Sequence, residues 1–330
     1  MEAVFSLFLE SKGAFIVRVH LLVCPPICVG VQGLFRGFAL LALMIVSGDA
    51  SETRLRPESE PVTVTSLRQD ESADEPKQES DWRDLFAEKT FRDAGGNILP
   101  YRIMAPTNFR FESSGVESTP SNEERFPLVL FLHGAGERGN DNQKQLIHGA
   151  QEFAKASRRE EYPSFVVFPQ CPTSERWVES DWNLQSGRGE FPEVPSGAMN
   201  LTLQLIDELV QDLPVDPKRI YVTGLSMGGM GSWYAAASKP ARFAAMLEVC
   251  GGGDPSWADR YAGIPIWAFH GQADTVVPVI RGREMIQSLG GAGHWPELRY
   301  SEYPGVGHNS WTQTFERDDV YRWLFSQRKP

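Results

Sequence analysis

Cysteine is scarce in this chain: there are four in 330 residues, and two of them, Cys24 and Cys28, lie within the first thirty positions. That is too few for a disulfide scaffold. No Cys-x-x-Cys or His-x-x-x-His spacing offers a metal site, and no cofactor motif is present. Basic residues are the minority charge, 32 Lys and Arg against 43 Asp and Glu, for a net charge of −11. Clustered cations that displace counterions from a phosphate backbone are therefore lacking, which argues against a nucleic-acid partner. There is no internal repeat, and collagen-like and coiled-coil compositions are excluded. What is present is 41% hydrophobic and 23% charged residues with 30 Gly and 23 Pro, a globular balance that suits one medium catalytic domain plus a tail acting on small molecules.

A clean membrane-spanning run is also missing. Residues 15–46 are mostly apolar, but Arg18, His20, Gln32 and Arg36 interrupt them and Pro25-Pro26 would break a helix. Arg36-Gly37, the apolar residues 38–46 and Ser47-Gly48-Asp49-Ala50 read as the charged, apolar and small-residue parts of a secretory leader. An uncleaved membrane anchor is the alternative, although the apolar core is short of the about 20 residues a span needs. Its distance from Met1 points to a translation start near Val31 or Leu34. Residues 1–50 are thus expected to act as a leader to the periplasm or the outside of the cell, with membrane contact only through such an anchor. Residues 51–80 carry eight acids and four bases with no aromatic residue, the composition of a flexible acidic linker. Residues 81–330 remain for the catalytic domain.

From residue 81 the pattern becomes regular. Residues 88–92 and 99–105 flank Asp93-Ala94-Gly95-Gly96-Asn97, a turn sequence that predicts an antiparallel hairpin. Apolar runs at 128–132, 165–168, 220–223, 244–249 and 264–269, and a final one at 298–303, read as strands. Helical patterns at 143–156, 198–213, 226–237, 280–289 and 315–325 alternate with them. The alternation predicts an α/β fold with a mainly parallel twisted sheet and helices on both faces. One long irregular insertion, 172–196, holds Trp177, Trp182 and Phe191; because it leaves the carboxyl end of a strand, it is expected to act as a partial lid. Cys171 and Cys250 read as two buried thiols or as a disulfide, and the sequence leaves both open.

The most specific motif is Gly224-Leu225-Ser226-Met227-Gly228, which ends an apolar β run and opens a small-residue helix. This context places a serine hydroxyl on a sharp strand-to-helix turn, with glycines that let strand and helix approach. Together with His133-Gly134-Ala135-Gly136, it makes residues 90–330 resemble the α/β-hydrolase superfamily. Within that superfamily the chain is similar to the bacterial carboxylesterase, dienelactone-hydrolase-like and "predicted peptidase" group, which is phospholipase/carboxylesterase-like. Residues 130–139, LFLHGAGERG, and a late His-Asn-Ser-Trp carry the likeness.

The resemblance implies a catalytic triad in the order Ser, acid, His. Ser226 is then the nucleophile. His308, on the loop Gly305-Val306-Gly307-His308-Asn309-Ser310-Trp311 after the last strand, is the base, since His20, His133, His148, His270 and His294 are less suitably placed. Asp274, in His270-Gly271-Gln272-Ala273-Asp274-Thr275-Val276-Val277-Pro278, is the acid, with Asp254 as its competitor one strand earlier. Backbone N–H groups of Met227 and Ala135 are expected to hold the oxyanion, with Gly136 as another donor. Trp182, Trp233 and Trp311 are candidates for substrate contact, Trp182 and Trp311 foremost. The segment 137–141 is expected to order the oxyanion loop, and Glu248 is either a buried, paired acid or an exposed one. The expected activity is hydrolysis of small-molecule or polymer-borne carboxylic esters through an acyl-enzyme, rising as imidazole loses its proton near the reference value of roughly 6.5. A serine peptidase and a catalytically silent binding module on the same scaffold are the alternatives.

Overall fold

The computed structural model describes residues 81–111, 124–182, 189–292 and 297–330, all within the compact unit Asp74–Pro330. The leader, the acidic linker, His294 and residues 183–188 of the insertion lie outside the described residues.

Eight strands form one sheet: β1 (Phe86–Arg92), β2 (Ile98–Met104), β3 (Phe126–Leu132), β4 (Phe165–Pro169), β5 (Val215–Leu225), β6 (Ala245–Val249), β7 (Ile266–Gly271) and β8 (Leu298–Tyr303). Their order is β1-β2-β4-β3-β5-β6-β7-β8. The first two strands form the expected hairpin, with Phe86 opposite Met104 and Arg92 opposite Ile98; Gly96, at φ +83°, turns the chain between them. β2 meets β4 antiparallel, and every later pairing is parallel.

The run at β3 shows why the sheet sits where it does. All seven of its residues are buried, and the alternation of side chains divides them between two cores. Leu128, Leu130 and Leu132 enter one core with Trp233 and Met285. Val129 and Phe131 enter the other with Phe153, Phe315 and Tyr321. Phe131 stacks on Phe168 at 4.5 Å between centroids and lies 5.1 Å from Phe315. Helices therefore cover both faces: α3 (Gly197–Asp212), α4 (Met227–Ser238) and α5 (Ile280–Ala292) on the first, and α1 (Ala150–Ala154), α6 (Trp311–Phe315) and α7 (Asp318–Ser326) on the second. In α3, Met199, Leu203 and Ile206 are buried as the period of the apolar positions predicts.

Two expected helices are broken. Residues 143–156 do not form one helix; the chain makes a 3-10 turn, Lys144–Leu146, then α1, then α2 (Ala156–Glu161). Gly149 stands at φ +79°, outside the helical region, and Phe131 fills the space a Cβ there would take. Residues 315–325 divide between α6 and α7, because Arg317 is extended and its guanidinium is held by Asp319 at 2.7 and 3.0 Å. No helix among the described residues is long and apolar enough to cross a membrane.

Candidate active site

The parallel strands all deliver their following residues to one edge of the sheet, the position where open α/β sheets bind ligands. Leu225 ends β5 and Ser226 follows at φ +55°, ψ −119°, a left-handed conformation rare for a residue with a side chain. The strain is held by a bond from the Ser226 N–H to the Val249 carbonyl, 2.9 Å, and by the flanking glycines. A Cβ on Gly224 would lie 2.7 Å from the Leu132 carbonyl oxygen, and one on Gly228 would overlap that carbonyl and lie 2.6 Å from the His133 oxygen. Gly228→Ala is accordingly expected to cost about 3 kcal/mol or more, at the upper end for overpacking; urea unfolding measures it, and a wild-type midpoint would contradict the packing.

His308, on the loop after β8, brings its Nε2 to 2.8 Å from the Ser226 hydroxyl and its Nδ1 to 2.7 Å from Asp274 Oδ2. The other oxygen of Asp274 accepts the N–H groups of Val276 and Val277 at 2.9 and 3.0 Å. Burial alone would raise the Asp274 pKa, but the bonds from His270 and His308 and the adjacent charge hold it well below the ordinary carboxylate range. The competitor Asp254 is engaged elsewhere. It caps the 3-10 helix Pro255–Tyr261, with Oδ1 on the Ser256 N–H and hydroxyl and Oδ2 accepting from the Phe191 N–H at 2.9 Å.

The turn after β3 lies against Ser226. A Cβ on Gly134 would stand 3.7 Å from that of Ser226, so the Gly134 backbone runs beside the serine, and Met227, the next residue, opens α4. His133 shapes this turn. It is buried, its Nε2 accepts the Cys171 N–H at 3.0 Å, and its Nδ1 stands 2.6 Å from the Gly134 carbonyl. A nitrogen that accepts carries no proton, so Nδ1–H donates to Gly134 and the ring is neutral. Burial agrees, pushing its pKa down to about 4.

The segment 137–141 orders the loop as expected. Arg138 donates to the Ala135 carbonyl at 2.9 Å, and Glu137 approaches His148 at 3.7 Å. Asp141 accepts the Gln143 and Lys144 N–H groups at 2.9 and 3.0 Å.

Sequence reasoning missed Gln170. This fully buried amide donates to the Glu137 carbonyl and to Asp141, and accepts the Asn142 N–H at 2.7 Å. A polar residue closing the apolar run 165–168 was its only signal.

The tryptophans separate. Trp311 sets its ring 5.4 Å from His308, edge to face, and 5.3 Å from His148. Trp182 is partly buried under the Arg176 guanidinium, 4.3 Å away, and Trp233 is wholly core, packed on Tyr261. The described ends of the insertion are anchored: Trp177 is buried and donates to the His133 carbonyl at 2.9 Å, and Phe191 packs against Tyr234 and Trp257. Cys171 and Cys250 are both free and buried. Among the described residues, Cys250, Asp274 and His308 place metal-capable atoms within 4.8 Å of one another. Burial holds the Cys250 thiol well above its usual pKa, and the other two are already hydrogen-bonded to each other, so the grouping is poorly suited to a cation.

An eight-stranded, mainly parallel sheet with a serine elbow at its carboxyl edge defines an α/β-hydrolase. The model of the phospholipase/carboxylesterase family matches residues 115–321; the chain belongs to that family, whose members are hydrolases acting on ester bonds. It is 25% identical over 239 residues to acyl-protein thioesterase 1 of Gibberella zeae, which covers 64% of this chain and 94% of that protein. It is 26% identical over 200 residues to acetylxylan esterase A of Emericella nidulans, covering 61% of this chain and 57% of the relative. Among solved structures, a thermostable esterase superposes with a TM-score of 0.65 at 37% identity, over 75% of this chain and 64% of the other. The chain thus spans less than two thirds of two of these relatives.

Proposed function

We propose that this protein hydrolyses carboxylic esters with Ser226 as nucleophile, His308 as general base and Asp274 as the acid that orients it. The observation that carries the reading is the unbroken hydrogen-bonded path from Ser226 through His308 to Asp274, 2.8 and 2.7 Å. Ser226 Oγ attacks the ester carbonyl carbon as its proton passes to His308 Nε2. The resulting oxyanion is held by the N–H groups of Ala135 and Met227, with Gly136 close by as a further donor. The C–O bond to the alcohol then breaks, and the alcohol leaves with the proton from Nε2. Water attacks the acyl-enzyme, gives its proton to His308 and releases the acid, restoring Ser226.

The small-molecule or polymer-borne substrate lies against Trp311, whose ring borders His308; Trp182, covered by Arg176, contributes less. Export belongs to the same reading and is supported by the leader-like pattern of residues 36–50. N-terminal sequencing of exported material tests cleavage of the leader, and an intact Met1 would refute a cleaved leader.

The activity is tested by fluorophosphonate labelling of the purified chain, followed by p-nitrophenyl esters of increasing acyl length beside peptide anilides. Labelling at Ser226 with ester turnover is expected. Absence of labelling would point to a silent module, and anilide cleavage exceeding ester cleavage would point to a peptidase.

A further inference from the structure

A second imidazole reaches the Asp274 carboxylate. His270 is fully buried near the end of β7, with Nε2 2.8 Å from the Val277 carbonyl oxygen and 3.4 Å from Asp274 Oδ2. Both neighbours are acceptors, so this nitrogen bears a proton whether the ring is neutral or charged. Its Nδ1 is buried without a hydrogen-bond partner, and a Cβ on Gly282 would stand 2.9 Å from it.

On the adjacent strand β6, Glu248 is fully buried as well. One of its oxygens accepts the Gly251 N–H and the other has no partner. Two buried carboxylates therefore share the field of one buried imidazole. Burial works to discharge His270, yet the bond to Asp274 and the charge of Glu248 raise its pKa above the ordinary value. Burial likewise pushes Glu248 up to about 7, against the opposing pull of His270.

The other titratable groups around the ring are few. Cys250 follows β6. Tyr300 and Glu302 lie on β8, where Glu302 is opposite His270 in register and is held by Arg283 of α5 at 2.6 and 2.7 Å. Arg281 also belongs to α5 and is buried, and His308 lies beyond Asp274.

Asp274 thus meets donors on both oxygens: two backbone amides on Oδ1, and His308 with the more distant His270 on Oδ2. We infer that His270, whose Nε2–H lies between the Val277 carbonyl and Asp274 Oδ2, is a positioning residue that keeps Asp274 ionised and aimed at His308. The inference rests on the triad reading above. A purely structural histidine would only staple the turn 271–278 through Val277.

The pH profile separates the two roles. An N–H aimed at Asp274 Oδ2 takes up part of the carboxylate's hydrogen-bonding capacity, so its removal strengthens the hold of Asp274 on protonated His308, and the acid limb of kcat/KM moves upward. The test compares wild type, His270→Gln, His270→Leu and His270→Met on p-nitrophenyl acetate from about pH 5 to pH 9, a range that spans imidazole titration, with folding checked by circular dichroism.

His270→Leu is expected to lose roughly tenfold to a hundredfold in kcat with little change in KM, the range for groups that orient a catalytic ligand from behind. His270→Gln keeps an N–H donor and should recover most of kcat with its acid limb at the wild-type position, whereas the limb of His270→Leu is raised by about half a pH unit. If His270→Leu fails to fold, His270→Met, which also lacks the donor, decides. A folded Leu or Met variant whose limb coincides with wild type overturns the inference. Should Ser226→Ala retain full turnover, the triad itself fails; an inactive Ser226→Ala beside an unshifted His270→Leu removes only the role given to His270.

Discussion

Ser226→Ala is expected to lower kcat for p-nitrophenyl esters by at least about three orders of magnitude and to abolish fluorophosphonate labelling. The substitution removes one oxygen and nothing that holds the turn together. The Ser226 N–H still bonds to the Val249 carbonyl, Gly224 and Gly228 still pack on Leu132, and an alanine at φ +55° carries the same backbone strain as the serine. Folding stability should therefore stay within about 1 kcal/mol of wild type, which separates loss of chemistry from loss of structure. The catalytic water could still approach, and the loop around Gly134 would still be in place, so residual turnover well above the uncatalysed rate is consistent with the mechanism. Near-wild-type turnover in this variant would end the assignment.

Asp274→Asn should cost about four orders of magnitude in kcat, the size found when the triad aspartate of a serine protease is changed in this way. The geometry supplies the reason. Oδ1 of Asp274 accepts two backbone N–H groups, from Val276 and Val277, so the asparagine carbonyl would take that place. Its NH2 would then occupy the position of Oδ2 and donate to His308 Nδ1. That leaves the imidazole proton on Nε2, facing the Ser226 hydroxyl, where it can no longer accept the serine proton. The same NH2 would face the Nε2–H of His270, donor against donor.

Asp254→Asn is the companion experiment. Its partners are Ser256 and the Phe191 N–H, so a change in kcat of less than about threefold is expected, with the effect confined to packing of the insertion. A reversed result, with the large loss at Asp254, would move the acid to the other strand. The wild-type pH response has a fixed sign. The depressed pKa of Asp274 keeps its carboxylate charged through the neutral range, and below the carboxylate reference value of 3.8 its stabilising bonds are lost progressively as pH falls through the depressed folded value.

Ser226, Asp274 and His308 could be named as triad candidates before any coordinates, with Asp254 as a competitor, because their segments resemble those of the α/β-hydrolases: a glycine-flanked elbow, a strand-end turn, a loop after the last strand. The strands were legible for the same kind of reason. Residues 128–132 are apolar without a break, and only a strand covered on both faces needs that. Residues 143–156 misled because their composition suits a helix while Gly149 does not: it stands at positive φ, and Phe131, a side chain from another element, fills the space a Cβ there would take. His133, Glu248 and His270 were seen but not understood, and Gln170 was missed. Their meaning is in their partners, which lie up to 44 residues away in sequence, as for His133 and Trp177.

The sequence by itself determined the alternation of strands and helices and the elbow, because periodicity and turn chemistry act over a few residues; the expected order Ser, acid, His came from the family resemblance. Tertiary structure decided which aspartate faces His308, which tryptophan borders it, that both cysteines stay free, and that a buried glutamate and a second histidine stand beside the acid. Those outcomes depend on how parallel strands from distant parts of the chain are set side by side. Burial then gives each polar atom brought to that edge a cost that only a partner of the right geometry offsets.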